Sequence, residues 1–325
     1  MARPGAGSGN DPAERLNESI RRSLGPTCMN ALQDEGVEEI TLNPDGRIWL
    51  YRVGHGWVDT GDRMSPARAL SLMNTIASVL DTTVTAENPL LDGNLPLDGS
   101  RFSGVIPPAA AGPSFSIRKK ALLVYTLEDY VKDGILSLPF YNAILAAVKQ
   151  RKNILVVGGT ASGKTTLLNA IIAAIAKLTP QHRVVIIEDT AEVQCTAQNK
   201  VLVQTTRTIS MLDLLRSTLR WRPDRIIVGE VRGKEANALL KAWNTGHPGG
   251  VASIHANDAR SGLLRVEQCV QEGVAVVNPV VIAEAVDVLV VIKKGELSGK
   301  RVVEQVAEVV RYDSVTNEYI ISDVG

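Results

Sequence analysis

The apolar positions of this chain follow two different rhythms. From Glu38 to Trp57 they alternate with polar ones: Ile40 and Leu42, a turn at Asn43-Pro44-Asp45-Gly46, then Ile48 and Leu50. Alternation of this kind turns one face of each strand to a core, so the segment reads as a hairpin. Ser65 ahead of Pro66, with Leu70, Met73, Ile76 and Leu80 behind them, predicts a helix capped at its start. Between Pro89 and Pro108, Asp92-Gly93 and Asp98-Gly99 read as two turns around short extended pieces, and Phe115–Arg118 reads as a strand. Together these predict a small α+β unit over 13–120. Ahead of it, residues 1–12 read as a flexible tail rich in Gly, Ala, Pro and Ser, without the apolar stretch of a secretory signal.

Residues 121–150 read as a connector with helical pieces at Leu127–Lys132 and Tyr141–Val148. Beyond it the rhythm changes. Ile154–Val157, Val184–Ile187, Ile226–Val228 and Val288–Ile292 are short, β-branched and almost wholly apolar, and helical stretches separate them. Strands of that composition are buried on both faces, which predicts a parallel α/β sheet over 151–325. Past Ile292 the alternation returns around Gly295–Gly299, so antiparallel edge strands should close the sheet. No run approaches the ~18 consecutive apolar residues of a membrane span.

Composition narrows the function. The chain has 325 residues, 45% hydrophobic and 22% charged, which suits a folded protein of two domains or one large one. Lys+Arg and Asp+Glu both number 35, so no global positive field draws nucleic acid or anionic lipid. The three cysteines, Cys28, Cys195 and Cys269, are too far apart for a zinc cluster and read as small buried hydrophobes of a reducing compartment.

The chemistry begins at Gly158-Gly159-Thr160-Ala161-Ser162-Gly163-Lys164-Thr165, followed by Thr166. This is the phosphate-loop pattern G-x-x-x-x-G-K-[ST], with an apolar strand running in and a helical pattern running out. Glycines let backbone N–H groups close around phosphate oxygens at a helix N-terminus. Lys164 would bridge the β- and γ-phosphates of ATP, and the Thr165 hydroxyl would ligate Mg²⁺. Two acidic clusters end apolar strands: Glu188-Asp189 with Glu192 behind, and Gly229-Glu230. In open α/β sheets ligands bind beyond the carboxyl ends of strands, so Glu188 and Glu230 are the candidates to hold Mg²⁺, through water, and to orient the attacking water. Which does which the residues leave open, and Asp189 and Glu192 read equally well as helix caps. His247 and His255 flank a glycine-rich turn; their spacing suits no metal, but an imidazole beside a γ-phosphate would sense it. His55 and His182 read as surface or turn residues.

With these segments in place, the chain resembles the secretion ATPases of the type II/type IV secretion superfamily. Four segments match in order and spacing: 158–165, Arg183–Glu192, Arg222–Arg232 and Thr245–Asn257, and the likeness extends into Pro107-Pro108 and Ser116–Lys119. Gly229-Glu230, in place of the hydrophobic-Asp ending of most phosphate-loop proteins, makes it specific. The chain is most similar to the conjugal-transfer branch and lacks the four-cysteine zinc insertion of the type II branch.

The resemblance implies a RecA-like P-loop NTPase domain behind a smaller α+β N-terminal domain. It implies a homohexameric ring in the cytoplasm, peripherally associated with a bacterial inner membrane and partnered by inner-membrane components of a secretion or conjugation channel. It assigns Arg101 and Arg118 to phosphate contact from the N-terminal domain, places Arg207 near a subunit boundary, and makes His247 and His255 links between the γ-phosphate and domain movement. Tyr125 and Leu127 would pack on the adenine or in the core. The function implied is an ATP-hydrolysing motor. Two other readings stand beside it: a ring whose shape ATP merely fixes, and a nucleic-acid translocase. Against the latter stand zero net charge and an aromatic fraction of only 4%, too few for a stacking platform; no sequence-specific nucleic-acid contact is expected.

Overall fold

The computed structural model describes residues 12–120, 125–206, 208–295 and 300–324; most of the expected tail, Arg207 and residues 296–299 fall outside them. The chain divides into two compact units, Met1–Leu122 and Leu123–Gly325.

The first unit runs α1 (Pro12–Gln33), β1 (Val37–Leu42), β2 (Arg47–Arg52), β3 (Gly56–Arg63), α2 (Pro66–Val79), β4 (Leu90–Asn94), β5 (Arg101–Val105) and β6 (Ser114–Arg118). Its strands form one sheet in the order β3-β2-β1-β6-β5-β4. The expected hairpin is thus the start of a three-stranded meander. α2 begins where its sequence signals it, with the Ser65 side chain accepting a hydrogen bond from the Arg68 backbone N–H. It buries Leu72, Met73 and Ile76 in one core with Ile40, Phe102 and Ile117 of the sheet. Asp92-Gly93 is not a turn but lies inside β4: Gly93 keeps an ordinary φ, and a Cβ there would meet Leu80 Cδ1 at 2.5 Å. Gly99 does turn, at φ 77°.

α1 has no counterpart in the sequence reading, and the reason lies in its middle. Gly25 takes φ 73°, Pro26 follows with no N–H, and the helix breaks there. Arg68 of α2 covers the break, donating Nε to the Ser23 carbonyl at 2.7 Å and Nη2 to the Arg22 carbonyl at 3.0 Å.

The second unit runs α3 (Leu127–Lys132), α4 (Leu138–Lys149), β7 (Ile154–Gly158), α5 (Lys164–Leu178), β8 (Val184–Glu188), β9 (Lys200–Gln204), α6 (Met211–Thr218), β10 (Arg225–Val231), α7 (Glu235–Asn244), β11 (Val251–His255), α8 (Ala259–Gln271), α9 (Pro279–Ala285), β12 (Val288–Lys294), β13 (Arg301–Asp313) and β14 (Glu318–Asp323). The sheet order is β14-β13-β12-β7-β11-β10-β8-β9. From β12 to β9 every pairing is parallel. β13 and β14 add antiparallel edges, as the returning alternation predicts.

Period-two geometry sorts each strand between two cores. In β7, Ile154 and Val156 pack with Ile144 of α4 and Leu167 and Ile171 of α5. Leu155 and Val157 pack with Leu239 and Trp243 of α7 and Leu263 of α8. Of the stretch expected as a connector, the helical pieces are α3 and α4, and they belong to the second unit. Residues 121–124 are not described, but Leu127, Tyr130, Ile144 and Val148 are buried in the second unit's core, because their apolar faces are covered by α5 and the sheet.

Candidate active site

β7 ends at Gly158, and the chain turns through Gly159–Gly163 into α5. Gly163, the residue before the helix, takes φ 97°, and Ala161 takes φ 56°. A Cβ at Gly158 would meet Ser162 Oγ at 2.5 Å and the Ile292 carbonyl oxygen at 2.6 Å, so the cradle closes only around a glycine. Lys164 folds back over the loop and donates Nζ to the Gly159 carbonyl at 2.9 Å. Thr160 and Ala161 are exposed, Gly159, Thr165 and Thr166 half-buried. Ser162 is 3% exposed, and its hydroxyl finds no partner among the described residues. A buried hydroxyl left unpaired costs about 1–3 kcal/mol. Beside an ammonium and the N–H groups of a helix start, it suits a phosphate oxygen, so these residues fit the phosphates of a nucleotide.

The carboxyl ends of β8 and β10 carry the acidic residues, with β11 between β10 and β7. Glu188 is buried at 3% exposure. Its Oε1 accepts the backbone N–H groups of Glu192 at 3.0 Å and Val193 at 2.7 Å, which fixes the chain after β8. Glu192 in turn lies beside the Thr165 hydroxyl, its Oε2 accepting from Thr165 Oγ1 at 3.4 Å. The sequence reading named Glu192 without choosing it, since nothing in the spacing shows that Glu188 is occupied with backbone.

Glu230 sits in an irregularity of β10. Val228 pairs with Ala252 and Val231 with Ile254, so Gly229 and Glu230 fill one bulge beside β11. A bulge re-aims a side chain out of the strand's alternation. Ser253 of β11 props it, donating Oγ to the Gly229 carbonyl at 2.6 Å. A Cβ at Gly229 would come within 3.1 Å of Glu188 Cγ, so a larger residue there would press on that side chain. The Glu230 carboxylate is held by Arg232, whose third contact is Asp189.

The two histidines part company. His255 ends β11 directly opposite Gly158, exposed beside the phosphate loop. His247 precedes β11, at the amino end of the sheet. Five residues of strand, about 13 Å at ~3.3 Å per step, separate the two ends. His247 Nδ1 there carries the proton and donates to the Pro223 carbonyl at 3.1 Å. Its neighbourhood is structural: the buried Arg225 donates to the carbonyls of Gly249 and Val148, both at 2.9 Å, and to His182 Nδ1 at 3.2 Å. Burial lowers Arg225 to about 10, still charged at neutral pH. His247 is thus not brought to the loop, because the strand hidden in Val251–Ile254 carries it away.

In the first unit Arg101 and Arg118 face each other across the β5–β6 ladder, two like charges on one face. Leu127 is 1% exposed within the core, whereas Tyr125 is exposed and stacks edge-on to Tyr130 with ring centres 6.3 Å apart. Of the adenine-side pair, only Tyr125 is left at a surface. One residue escaped the sequence reading altogether. Arg301, at the start of β13, lies across the phosphate loop: a Cβ at Gly163 would meet its Cδ at 2.9 Å. Only the sheet order, which brings β13 to within two strands of β7, reveals it.

A model of the type II/IV secretion system protein family matches residues 27–314. Over 280 residues the chain is 48% identical to the probable conjugal transfer protein TrbB of Sinorhizobium fredii, covering 86% of each chain. It is 47% identical over 305 residues to the conjugal transfer protein TrbB of Rhizobium radiobacter, covering 94% of this chain and 93% of that one. With the type IV secretion system protein VirB11 of Bartonella henselae it shares 30% identity over 284 residues, 74% of this chain and 78% of the relative. Among solved structures it is similar to the pilus retraction motor PilT with bound ADP (TM-score 0.65, 21% identity, 89% of this chain and 83% of that one). It is also similar to the Legionella pneumophila ATPase DotB (TM-score 0.63, 18% identity, 97% of this chain and 84% of that one). At those identities the likeness is one of fold, a RecA-like phosphate-loop unit behind a smaller α+β unit. The chain belongs to the type II/IV secretion system protein family.

Proposed function

We propose that this protein is a Mg²⁺-dependent ATPase that works as a motor of a bacterial type IV secretion or conjugal transfer apparatus. The observation that carries the hydrolytic half is the glycine cradle at the start of α5, with a buried unpaired hydroxyl and a folded lysine inside it. In this reading Gly158–Thr166 bind the triphosphate, and Lys164 offsets charge on its β- and γ-oxygens. Phosphoryl transfer passes through a loose transition state, so placing the water outweighs strong base chemistry. Glu230, re-aimed by its bulge, orients that water and takes its proton. Thr165 and Glu192 would hold Mg²⁺ directly or through water, and the ion supplies charge neutralisation when bound. Glu188 anchors the backbone that carries Glu192. Arg101 and Arg118 remain, through the family resemblance, the cations for the γ-phosphate, and His255 the group that senses it.

Family membership and the conjugal-transfer relatives support the process. From the resemblance we take a hexameric ring on the cytoplasmic side, peripherally associated with the inner membrane and its channel components. The deciding experiment is release of inorganic phosphate by the purified chain from ATP with Mg²⁺. Turnover is expected, and chelation by EDTA should abolish it; phosphate release unaffected by EDTA would overturn the metal assignment, and none at all the reading.

The division of labour between Glu188 and Glu192 is testable as well. Glu192→Gln should raise the Mg²⁺ concentration for half-maximal turnover about tenfold, in line with loss of a supporting carboxylate at a metal. Glu188→Gln should instead lower stability by about 2 kcal/mol, read in urea unfolding, because it weakens two charge-assisted bonds to backbone N–H groups. The reverse pattern would return the metal to Glu188.

A further inference from the structure

We propose that Arg232 is the positioning residue of Glu230, holding the carboxylate that orients the attacking water and tying it to the neighbouring strand. The inference rests on the reading of Glu230 given above. Arg232 donates Nε and Nη2 to the same oxygen, Glu230 Oε2, at 2.8 and 2.6 Å, and donates Nη1 to Asp189 Oδ2 at 3.2 Å. One planar guanidinium thus joins the ends of β10 and β8. A lysine ammonium has no fork with which to copy that arrangement. Both bonds to Glu230 fall on Oε2, and Oε1 accepts none from a described residue, so Oε1 is the oxygen offered to water. The bulge at Gly229-Glu230 removes the ladder from this stretch, so the guanidinium supplies the restraint that a strand neighbour would otherwise give.

The arginine is itself anchored. Its backbone N–H donates to Glu235 Oε1 at 2.7 Å, and that of Gly233 donates to the same oxygen at 2.9 Å. Glu235 lies in the first turn of α7 and is 9% exposed. Beyond its backbone, the side chain of Arg232 is about half exposed, at 51%. Ion pairs so open to water contribute little to stability, so the effect of Arg232 belongs to geometry. Asp189, Glu192 and Glu230 would otherwise crowd negative charge at one edge of the sheet, and Arg232 is the cation that meets two of them.

The test uses the full-length chain and three measurements on Arg232→Ala and Arg232→Lys: ATP turnover, affinity for a fluorescent ATP analogue, and thermal midpoint. Arg232→Ala should lower kcat about 10- to 100-fold, the scale of a small misplacement of a reacting group. Nucleotide affinity should stay within about threefold and the midpoint within about 2 °C, since the side chain touches neither cradle nor core. Arg232→Lys should recover part of kcat. Millimolar guanidinium should rescue Arg232→Ala and leave the wild type unaffected, which a purely structural residue would not show. Turnover by Arg232→Ala within twofold of wild type, a loss that appears in affinity alone, or no rescue would each overturn the assignment. If the wild type hydrolyses ATP and Glu230→Gln does so equally well, it is the reading of Glu230 that falls. A dead Glu230→Gln beside an undiminished Arg232→Ala defeats only the positioning role.

Discussion

Lys164→Ala should leave the protein folded and remove its turnover. Lys164 is the first residue of α5, where alanine is a better helix former than lysine, and its side chain is half-buried rather than part of either core. The thermal midpoint should therefore move by only a degree or two. The charge it brings is another matter. Folded back to the Gly159 carbonyl, the ammonium stands inside the ring of loop backbone that would receive the phosphates. Removing one fixed donor from a transition state that carries spreading negative charge costs on the order of 10²–10³ in rate. Phosphate release and nucleotide binding measured side by side would check this, with affinity weakened as well because the ground-state triphosphate meets the same cation. Full Mg²⁺-dependent turnover by this variant would remove the chemical basis of the proposal.

Glu230→Gln should separate the two halves of the function. The amide oxygen can still accept from Arg232, and the substitution leaves the bulge, Gly229 and Ser253 as they are. Nucleotide binding should persist, whereas hydrolysis should fall by about 10²–10⁴, the usual scale for loss of a general base. Placed in a conjugating strain that lacks the wild-type gene, the variant distinguishes a motor from a ring that ATP merely shapes. A motor stops with hydrolysis, and transfer frequency falls with it. Transfer at the wild-type level, with hydrolysis gone, would favour the shape-fixing ring.

Much of this site was legible before any coordinates. Glycine spacing, an apolar strand running in and helical spacing running out specify a strand–loop–helix turn almost by sterics alone, and Gly158–Thr166 run from the end of β7 into the first turn of α5. The parallel sheet was legible for the same kind of reason: Ile154–Val157 and Val184–Ile187 are apolar on both faces. Less legible was anything that depends on which strand lies beside which. β11 is spelled Val-Ala-Ser-Ile-His, short and with small residues, and it follows a Gly-Gly pair, so it reads as part of a loop. Read as loop, that segment leaves His247 and His255 as neighbours across a turn, whereas the strand sets them at its two ends. The acidic residues were found as clusters, but their roles depend on hydrogen bonds to backbone five residues away, which no spacing encodes. Arg301 is further still in sequence, 138 positions past Gly163, and reaches the loop only through sheet order.

The placement of β11 also acts as a ruler. With one strand between β7 and β10, the origin of the loop and the strand that carries Glu230 stand two interstrand spacings apart, about 10 Å. β11 crosses that span, with His255 at its end opposite Gly158. In the proposed reaction that span is where the terminal phosphoryl group and one water molecule would lie in line, between the loop and Glu230.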